Sequence, residues 1–257
     1  MSKIVALANQ KGGVGKTTTA INLAASIAVL GYKTLLIDAD AQANATSGLG
    51  FDINCRGLYE CLIDQASIED VIIQSPDIKN LSVLPSNINL VGAETELTSI
   101  ENGHSRLRTI LEPIRDNYDY IFIDCSPSLG MTTLNALVAS DTVLIPVQCE
   151  YFALEGLGKL LNTLKLTKAK LNPTLEIEGF LLTMYSRTKL SNQVVTEVRE
   201  HFGELAYENI VQRNIRLSEA PSFGKPALLF DASSSGSICY LNIANEFLQR
   251  NTPTTEE

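Results

Sequence analysis

Residues 10–18 have the sequence QKGGVGKTT, and this stretch decides the fold. It follows the phosphate-binding pattern G-x-x-x-x-G-K-[ST] except at its first position, where Gln10 replaces glycine, and it contains a second lysine, Lys11. The apolar residues 3–9 before it are typical of a short buried strand, and the pattern of residues 16–31 predicts a helix. A glycine-rich loop between a strand and a helix is the context that phosphate binding requires.

The composition of this loop predicts how it would hold a nucleotide. Gly12, Gly13 and Gly15 can adopt positive φ, so the backbone can close around an anion. The loop amides and the helix N-terminus would then donate to phosphate oxygens. We expect Lys16 to reach the β- and γ-phosphates and the Thr17 hydroxyl to bind Mg²⁺. The alternative is a glycine-rich turn in an unrelated α/β protein.

Lys11 needs a separate explanation, because Lys16 already serves the phosphates. It is either a solvated surface charge, as most lysines are, or a residue that contacts phosphates bound by a second copy of the chain. The residues of this loop leave both alternatives open.

Length and composition favour a single large domain in the cytosol. The chain has 257 residues, and we predict one α/β domain over residues 1–250 followed by a polar tail over residues 251–257. The five cysteines form no C-x-x-C pair, which indicates free thiols, and the two isolated histidines argue against a histidine metal site. We find no secretory signal and no apolar run near the roughly 18 residues of a membrane span.

Short apolar runs alternate with helical patterns along the chain. Further strands are predicted at residues 33–38, 81–84, 119–124, 142–147 and 176–183, and further helices at 104–117, 130–138, 154–171, 190–202 and 237–249. This alternation predicts an α/β fold with a mainly parallel twisted sheet and helices on both faces, and together with the loop over residues 10–18 it predicts the P-loop NTPase type. Residues 52–103 are the least regular part, where we expect small helices around one strand.

Two predicted strands end in aspartates, at the edge of the sheet where ligands bind in such folds. Asp38 and Asp40 follow one strand, and Asp124 follows another. Asp124 best fits an acid that holds the hydration shell of Mg²⁺, and Asp40 best fits a residue that positions the attacking water. Each aspartate alone could instead be a helix N-cap. Their position beside the loop favours a metal-assisted phosphate site.

Six segments, in this order and spacing, carry a family resemblance. They are QKGGVGKTTTAINLAA, DADAQANATSGLG, FIDCSPSLGMTTLNAL, CEYFALEGL, LSNQVVTEVREHF and RNIRLSEAPSFGKP. Together they resemble the ParA/Soj-type partition ATPases over nearly the whole chain, from Lys3 to about Phe247. The first segment alone marks only the wider superfamily with a deviant Walker A loop, whereas CEYFALEGL and RNIRLSEAPS indicate the partition branch.

The resemblance implies an ATPase that uses ATP/ADP and Mg²⁺ and forms a sandwich homodimer with ATP. Lys11 would reach the partner's nucleotide, and Asp40 would be the catalytic aspartate. The implied catalytic residues are Lys11, Lys16, Asp40 and Asp124, the implied metal residues are Thr17, Asp40 and Asp124, and Val14 and Thr18 join the glycines, Lys16 and Thr17 in contacting the nucleotide.

The resemblance also implies an adenine site and two partners. Met184, Arg213 and Asn214 match positions beside the adenine, and Arg187 and Arg216 match arginines that bind DNA non-specifically in the dimer. A centromere-binding protein of the ParB type would stimulate hydrolysis. The implied location is the cytoplasm, in association with the nucleoid, without a membrane partner.

Several departures from the family pattern bear on these expectations. Ala41 and Ala43 replace a proline and a glycine after Asp40, so we expect a change in stiffness there with the chemistry retained. Ser233 and Ser235 occupy positions that are commonly basic. The net charge is −9, and charge alone argues against DNA binding, which the resemblance favours.

Other functions on the same fold remain as alternatives. A Min-type positioning ATPase would end in a basic amphipathic helix, yet residues 237–249 contain no basic residue and are followed by a single arginine, Arg250. An electron-transfer relative would need cysteines placed to hold a cluster, and a small-molecule ligase would need a second substrate pocket. A nucleotide switch with negligible turnover is the non-enzymatic alternative, against which Asp40 argues.

Overall fold

The computed structural model describes residues 2–150 and 153–252, and of residues 153–156 only the backbone. The strands are β1 Lys3–Leu7, β2 Thr34–Ala39, β3 Ile73–Gln74, β4 Leu81–Leu84, β5 Tyr120–Cys125, β6 Thr142–Gln148 and β7 Glu176–Thr183. They form one seven-stranded sheet in the order β3-β4-β2-β5-β1-β6-β7. Every pair is parallel except β3 with β4 at the edge, which confirms the predicted sheet.

Helices connect these strands. The α-helices are α1 Lys16–Val29, α2 Asn44–Gly48, α3 Leu58–Leu62, α4 Ile68–Val71, α5 Leu90–Ser99, α6 Arg106–Leu111, α7 Met131–Ala139, α8 Ala153–Lys170, α9 Lys189–Phe202, α10 Ile215–Glu219, α11 Ala227–Phe230 and α12 Ser235–Asn251. Short 3₁₀ segments cover Gly103–Ser105, Glu112–Asn117, Gly203–Leu205 and Ala220–Phe223. No helix among the described residues is both long and apolar enough to cross a membrane.

Two apolar clusters cover the two faces of the sheet. Successive residues of a strand point to opposite faces, so Ile4 and Ala6 of β1 belong to one cluster, while Val5 and Leu7 belong to the other. The first cluster includes residues of α3 to α9, and the second includes residues of α1, α2 and α10 to α12. The expected helices on both faces are therefore confirmed.

The sheet register brings the functional ends of three strands together. β1 lies between β5 and β6, and Leu7 at its end is in register with Asp124 of β5. Asp38 of β2 is in register with the same aspartate from the other side. The chain that leaves β1 therefore enters the loop over residues 10–18 directly beside two aspartates.

The structure refines several predicted boundaries. The first helix ends at Val29 rather than at Gly31, which follows in a left-handed conformation with φ of 103°. The predicted helix over 104–117 is α6 flanked by two 3₁₀ segments, the second of which has a proline at its start. The last helix continues to Asn251, and residues 253–257 of the predicted tail lie outside the described part of the chain.

Candidate active site

The loop between β1 and α1 has the backbone that its glycines predict. Gly13 and Gly15 have φ of 75° and 90°, in the region that favours glycine, and Gly15 is the N-cap of α1. The hydroxyl of Thr183, at the end of β7, donates to the carbonyl of Val14 at 2.7 Å and ties the loop to the sheet. The first amides of α1 are thus held at the carboxyl edge of the sheet, where an anion can bind them.

Lys16 is buried within this loop, with 7% of its surface exposed. Its Nζ donates to the carbonyl of Lys11 at 3.4 Å, a long hydrogen bond for a buried ammonium. Burial lowers the pKa of Lys16, and the nearby carboxylate of Asp124 opposes that shift. A buried cation held by one weak acceptor is well suited to receive a phosphate.

Asp124 is fully buried, and in the described part of the chain neither of its carboxylate oxygens has a hydrogen-bond partner. Burial, followed by the charge of Asp38, raises the pKa of Asp124 well above its usual value, while the Thr17 hydroxyl, which lies near the carboxylate without forming a hydrogen bond of good geometry, and the charge of Lys16 oppose the shift. Buried carboxylates are normally paired, because an unpaired one is costly. This orphaned group therefore fits a hydrated divalent cation, as the sequence predicts.

Asp38, the neighbour of Asp124 in the sheet, is instead fully satisfied. Its Oδ2 accepts from the amide of Thr46 at 2.8 Å and from the Thr46 hydroxyl at 2.7 Å, and its Oδ1 accepts from the amide of Asp40 at 3.2 Å. Burial raises the pKa of Asp38 to about 6, and these hydrogen bonds limit the rise. Asp38 thus fixes the segment between β2 and α2, a role that the sequence analysis did not assign.

Asp40 lies on this segment and faces the loop. Its Oδ1 accepts from the amide of Gln42 at 3.0 Å, which forms a local turn, and Ala43 follows with φ of 51°. Asp40 lines a cavity of about 420 Å³. The other residues lining it are Gly12, Gly13, Gly15, Lys16, Thr17, Thr18, Gln42, Asn44, Pro127 and Met184. The predicted catalytic aspartate and the predicted phosphate ligands therefore share one cavity.

A second cavity of about 500 Å³ adjoins the first, because Gly15, Thr18 and Met184 line both. The three residues predicted beside the adenine all line this second cavity: Met184, Arg213 and Asn214. Met184 has an uncommon positive φ of 53°. The Asn214 side chain also caps α10 by accepting from the amide of Arg216 at 2.8 Å. Together the two cavities have the layout of a nucleotide site. We call the cavity beside Asp40 the phosphate cavity and the cavity beside Arg213 the base cavity.

The second lysine of the loop forms a contact that the sequence analysis did not identify. Lys11 Nζ lies 3.9 Å from Oε2 of Glu150, and the other oxygen of that carboxylate lies 2.8 Å from Nη2 of Arg213. Glu150 belongs to the segment CEYFALEGL, of which Tyr151 and Phe152 lie outside the described residues. This segment is one of the six that carry the family resemblance, but its sequence gives no sign that Glu150 contacts Lys11 and Arg213.

The two predicted DNA-binding arginines differ in their surroundings. Arg187 is exposed in the connection between β7 and α9. Arg216 forms ion pairs with Glu219 at 2.8 Å and with Asp231 at 3.2 Å. The hydroxyl of Ser233, at one of the positions that are commonly basic, donates to Asp231 at 2.8 Å. A DNA-binding role for the two arginines stays a prediction.

A metal at this site would depend on the nucleotide. Among the side chains that the structure describes, in residues 2–150 and 157–252, no group of three or more His, Cys, Asp or Glu is arranged to hold an ion. Thr17 and Asp40 line the phosphate cavity, and the carboxylate of Asp124 is unpartnered. Oxygen donors of this kind suit Mg²⁺, which usually takes its remaining ligands from water and phosphate.

Comparisons with known proteins agree with this geometry. The protein-family model described as an AAA domain matches residues 2–177. The chain is 52% identical over 250 residues to the sporulation initiation inhibitor protein Soj of Bacillus subtilis, covering 96% of this chain and 98% of that protein. This chain belongs to the ParA/Soj family of P-loop ATPases. The family and the ATPase class that the sequence predicts are therefore confirmed.

Solved structures of this fold extend the comparison. A putative plasmid partition protein from Borrelia burgdorferi bound to AMPPNP superposes with a TM-score of 0.83 and 32% identity, covering 97% of this chain and all of that chain (100%). A cobyrinic acid a,c-diamide synthase from Mycobacterium smegmatis with bound ADP and magnesium gives a TM-score of 0.84 and 32% identity, with coverage of 97% and 95%. The P-loop fold of this family member is therefore confirmed.

Proposed function

We propose that this chain is a partition ATPase that dimerises with ATP, binds DNA non-specifically as a dimer, and returns to monomers when a ParB-type partner stimulates hydrolysis. The observation that carries the proposal is buried Asp124, which lies beside Lys16 and the loop and has no hydrogen-bond partner in the part of the chain that the structure describes, a pair that a magnesium nucleotide would satisfy. The identity to Soj and the likeness to a partition protein bound to AMPPNP support the biological role. We place the protein in the cytoplasm, on the nucleoid.

Nucleotide binding begins with the charges of the loop. Lys16 exchanges the carbonyl of Lys11 for phosphate oxygens, and the amides at the start of α1 donate to the same anion. Thr17, Asp40 and Asp124 are the residues that would hold Mg²⁺, which when bound offsets the phosphate charge. The base enters the cavity lined by Met184 and Arg213.

Hydrolysis depends on the segment between β2 and α2. Asp38 holds the backbone amides of Asp40 and Thr46, and the Asp40 carboxylate lines the cavity of the phosphate loop. In that position Asp40 orients the attacking water and accepts its proton. Removal of Asp40 should therefore stop turnover and leave ATP binding intact.

In the proposed dimer, Lys11 contacts the nucleotide of the second subunit. Its ammonium lies at the entrance of the loop and is about one-third exposed, with 35% of its side-chain surface open. There it can cross to the phosphates of a second subunit, and the second subunit's Lys11 can do the same in return. ATP then joins two copies, and loss of the γ-phosphate releases them.

The decisive experiment measures mass in solution by light scattering after gel filtration. The Asp40→Ala protein should form a dimer with MgATP and remain a monomer with ADP. Adding Lys11→Gln should restore the monomer with ATP. The matched control is Lys79→Gln, which changes an exposed lysine outside the phosphate loop and should leave the dimer intact. Equal behaviour of the Lys11 and Lys79 variants would refute the cross-subunit role.

DNA binding is tested with the same Asp40→Ala protein and a random duplex over a salt series. Binding should require ATP and weaken steeply with salt, because each neutralised phosphate contributes about one unit to the slope of log K. The change Arg187→Ala, Arg216→Ala should abolish binding and spare the ATP dimer. An ATP dimer that does not bind DNA at low salt would instead indicate a positioning ATPase that binds its partners through another surface.

A further inference from the structure

Three charged side chains meet where the phosphate loop and the base cavity adjoin. Glu150, just after β6, lies between two cations, with Oε2 3.9 Å from Lys11 and Oε1 2.8 Å from Arg213. Lys11 is the residue that the proposed dimer sends to its partner, and Arg213 lines the base cavity. One carboxylate therefore connects the base end of the site with the lysine at its entrance.

The two contacts differ in strength. The pair with Arg213 is at hydrogen-bonding distance, so it orients the carboxylate, whereas Lys11 lies at the outer limit of an ion pair. About 45% of the Glu150 side chain is exposed, so solvent weakens both attractions. The arrangement thus holds Lys11 at its own subunit without locking it there.

We propose that Glu150 is a positioning residue that retains Lys11 in the free subunit and must release it before the dimer forms. This inference rests on the proposed function, because it requires Lys11 to cross to a second subunit. Each subunit gives up one Lys11–Glu150 contact on dimerisation, so the dimer loses two. Glu150 therefore sets the concentration of protein and ATP at which dimers appear.

The test uses the Asp40→Ala protein, in which the dimer persists, and measures the dimer dissociation constant with MgATP by sedimentation. Because two exposed ion pairs are lost per dimer, Glu150→Gln should lower this constant about three- to tenfold at low salt. The gain should vanish near about 0.5 M salt, where such pairs are screened. Glu150→Ala removes the same charge and should give a similar gain, and melting curves check that both variants fold.

Two controls separate this role from a general effect of charge. Glu200→Gln, an exposed glutamate on α9, should leave the dissociation constant unchanged. The Lys11→Gln protein should stay monomeric with ATP, and adding Glu150→Gln should not restore its dimer. A restored dimer in that protein, or an unchanged or higher dissociation constant when Lys11 is present, would overturn the inference alone. A parent protein that stays monomeric with ATP would overturn the proposed function, and the inference with it.

Discussion

The nucleotide edge of the sheet and the surface around α10 and α12 satisfy their charges in opposite ways. At the nucleotide edge, buried Asp124 has no hydrogen-bond partner among the described residues, and the acceptor found there for Lys16 is a carbonyl at a long distance. On the other surface, Arg216 is exposed and already paired with Glu219 and Asp231. The first region is thus incomplete without a ligand, whereas the second is complete by itself.

The difference shows why one site can be recognised from the structure and the other cannot. Burying an unpaired charge costs several kcal/mol, so an unpartnered buried carboxyl is uncommon and its pKa rises until a ligand such as a cation satisfies it. Exposed ion pairs contribute only about 0–1 kcal/mol, so they form and exchange readily. An unpaired buried charge therefore indicates function, while a paired surface arginine is compatible with many roles.

The largest effect is expected from Asp124→Asn, which removes the unpaired charge. ATP turnover should fall at least about 100-fold, because the charge that supports the metal-bound phosphate is lost. Phosphate release at saturating MgATP measures this, with Asp116→Asn on the surface as the matched control. Turnover within a few-fold of the parent protein would show that the carboxylate is dispensable and that the contrast between the two regions is misleading.

The same burial predicts an unusual pH dependence of stability without nucleotide. The pKa of Asp38 is raised to about 6 from its ordinary value of 3.8, and the pKa of Asp124 is raised as well. When the pKa of a carboxyl is higher in the folded state than in the unfolded state, the folded protein loses stability as the pH rises through the folded-state pKa. Between pH 5 and 8 the free energy of unfolding should fall by at least about 1 kcal/mol from Asp38, with a further loss from Asp124.

Urea unfolding of the nucleotide-free protein at the two pH values measures this change. Asp124→Asn should be more stable than the parent at pH 8 and should show a smaller difference between pH 5 and pH 8. If the parent protein instead became more stable towards pH 8, the raised pKa values of the two buried carboxyls would be wrong.

A smaller effect is expected on the arginine surface, where Glu219 and Asp231 compete with DNA phosphates for Arg216. The double change Glu219→Gln, Asp231→Asn should raise the DNA affinity of the ATP dimer a few-fold at low salt. Removing two acids elsewhere, by Glu200→Gln and Glu204→Gln, serves as the control. Equal gains in both double variants would assign the effect to net charge rather than to Arg216.

The smallest effect concerns the two alanines after Asp40. Ala43 has a positive φ, which costs an L-residue about 1–2 kcal/mol, whereas Ala41 does not. Ala43→Gly should therefore leave the protein equally stable or stabilise it by up to about 1 kcal/mol, since glycine loses more chain entropy on folding. Ala41→Gly should destabilise it by about 0.5–1 kcal/mol. Thermal melting of the pair tests the difference, and equal shifts would contradict the strain at Ala43.

Much of the fold was predictable because it depends on local pattern. The loop over residues 10–18 and the apolar runs around it predict the central strands and the first helix, and the structure moves their ends by no more than about two residues. The edge strand β3 has only two residues and α5 lies in the irregular region, so neither has a pattern long enough to predict. Family membership followed from six separate segments that lie far apart in the chain.

The sequence alone determined the chemistry of the site, because the residue types of the loop and the aspartates at strand ends are local in the chain. Tertiary structure decided which of these groups are satisfied. Asp38 and Asp124 have the same chemistry and end neighbouring strands, yet Thr46 reaches only Asp38. In the same way only the fold brings Glu150 between Lys11 and Arg213, residues far apart in the chain. Hydrogen bonds and desolvation depend on distances in space, and the order of residues along the chain does not give those distances.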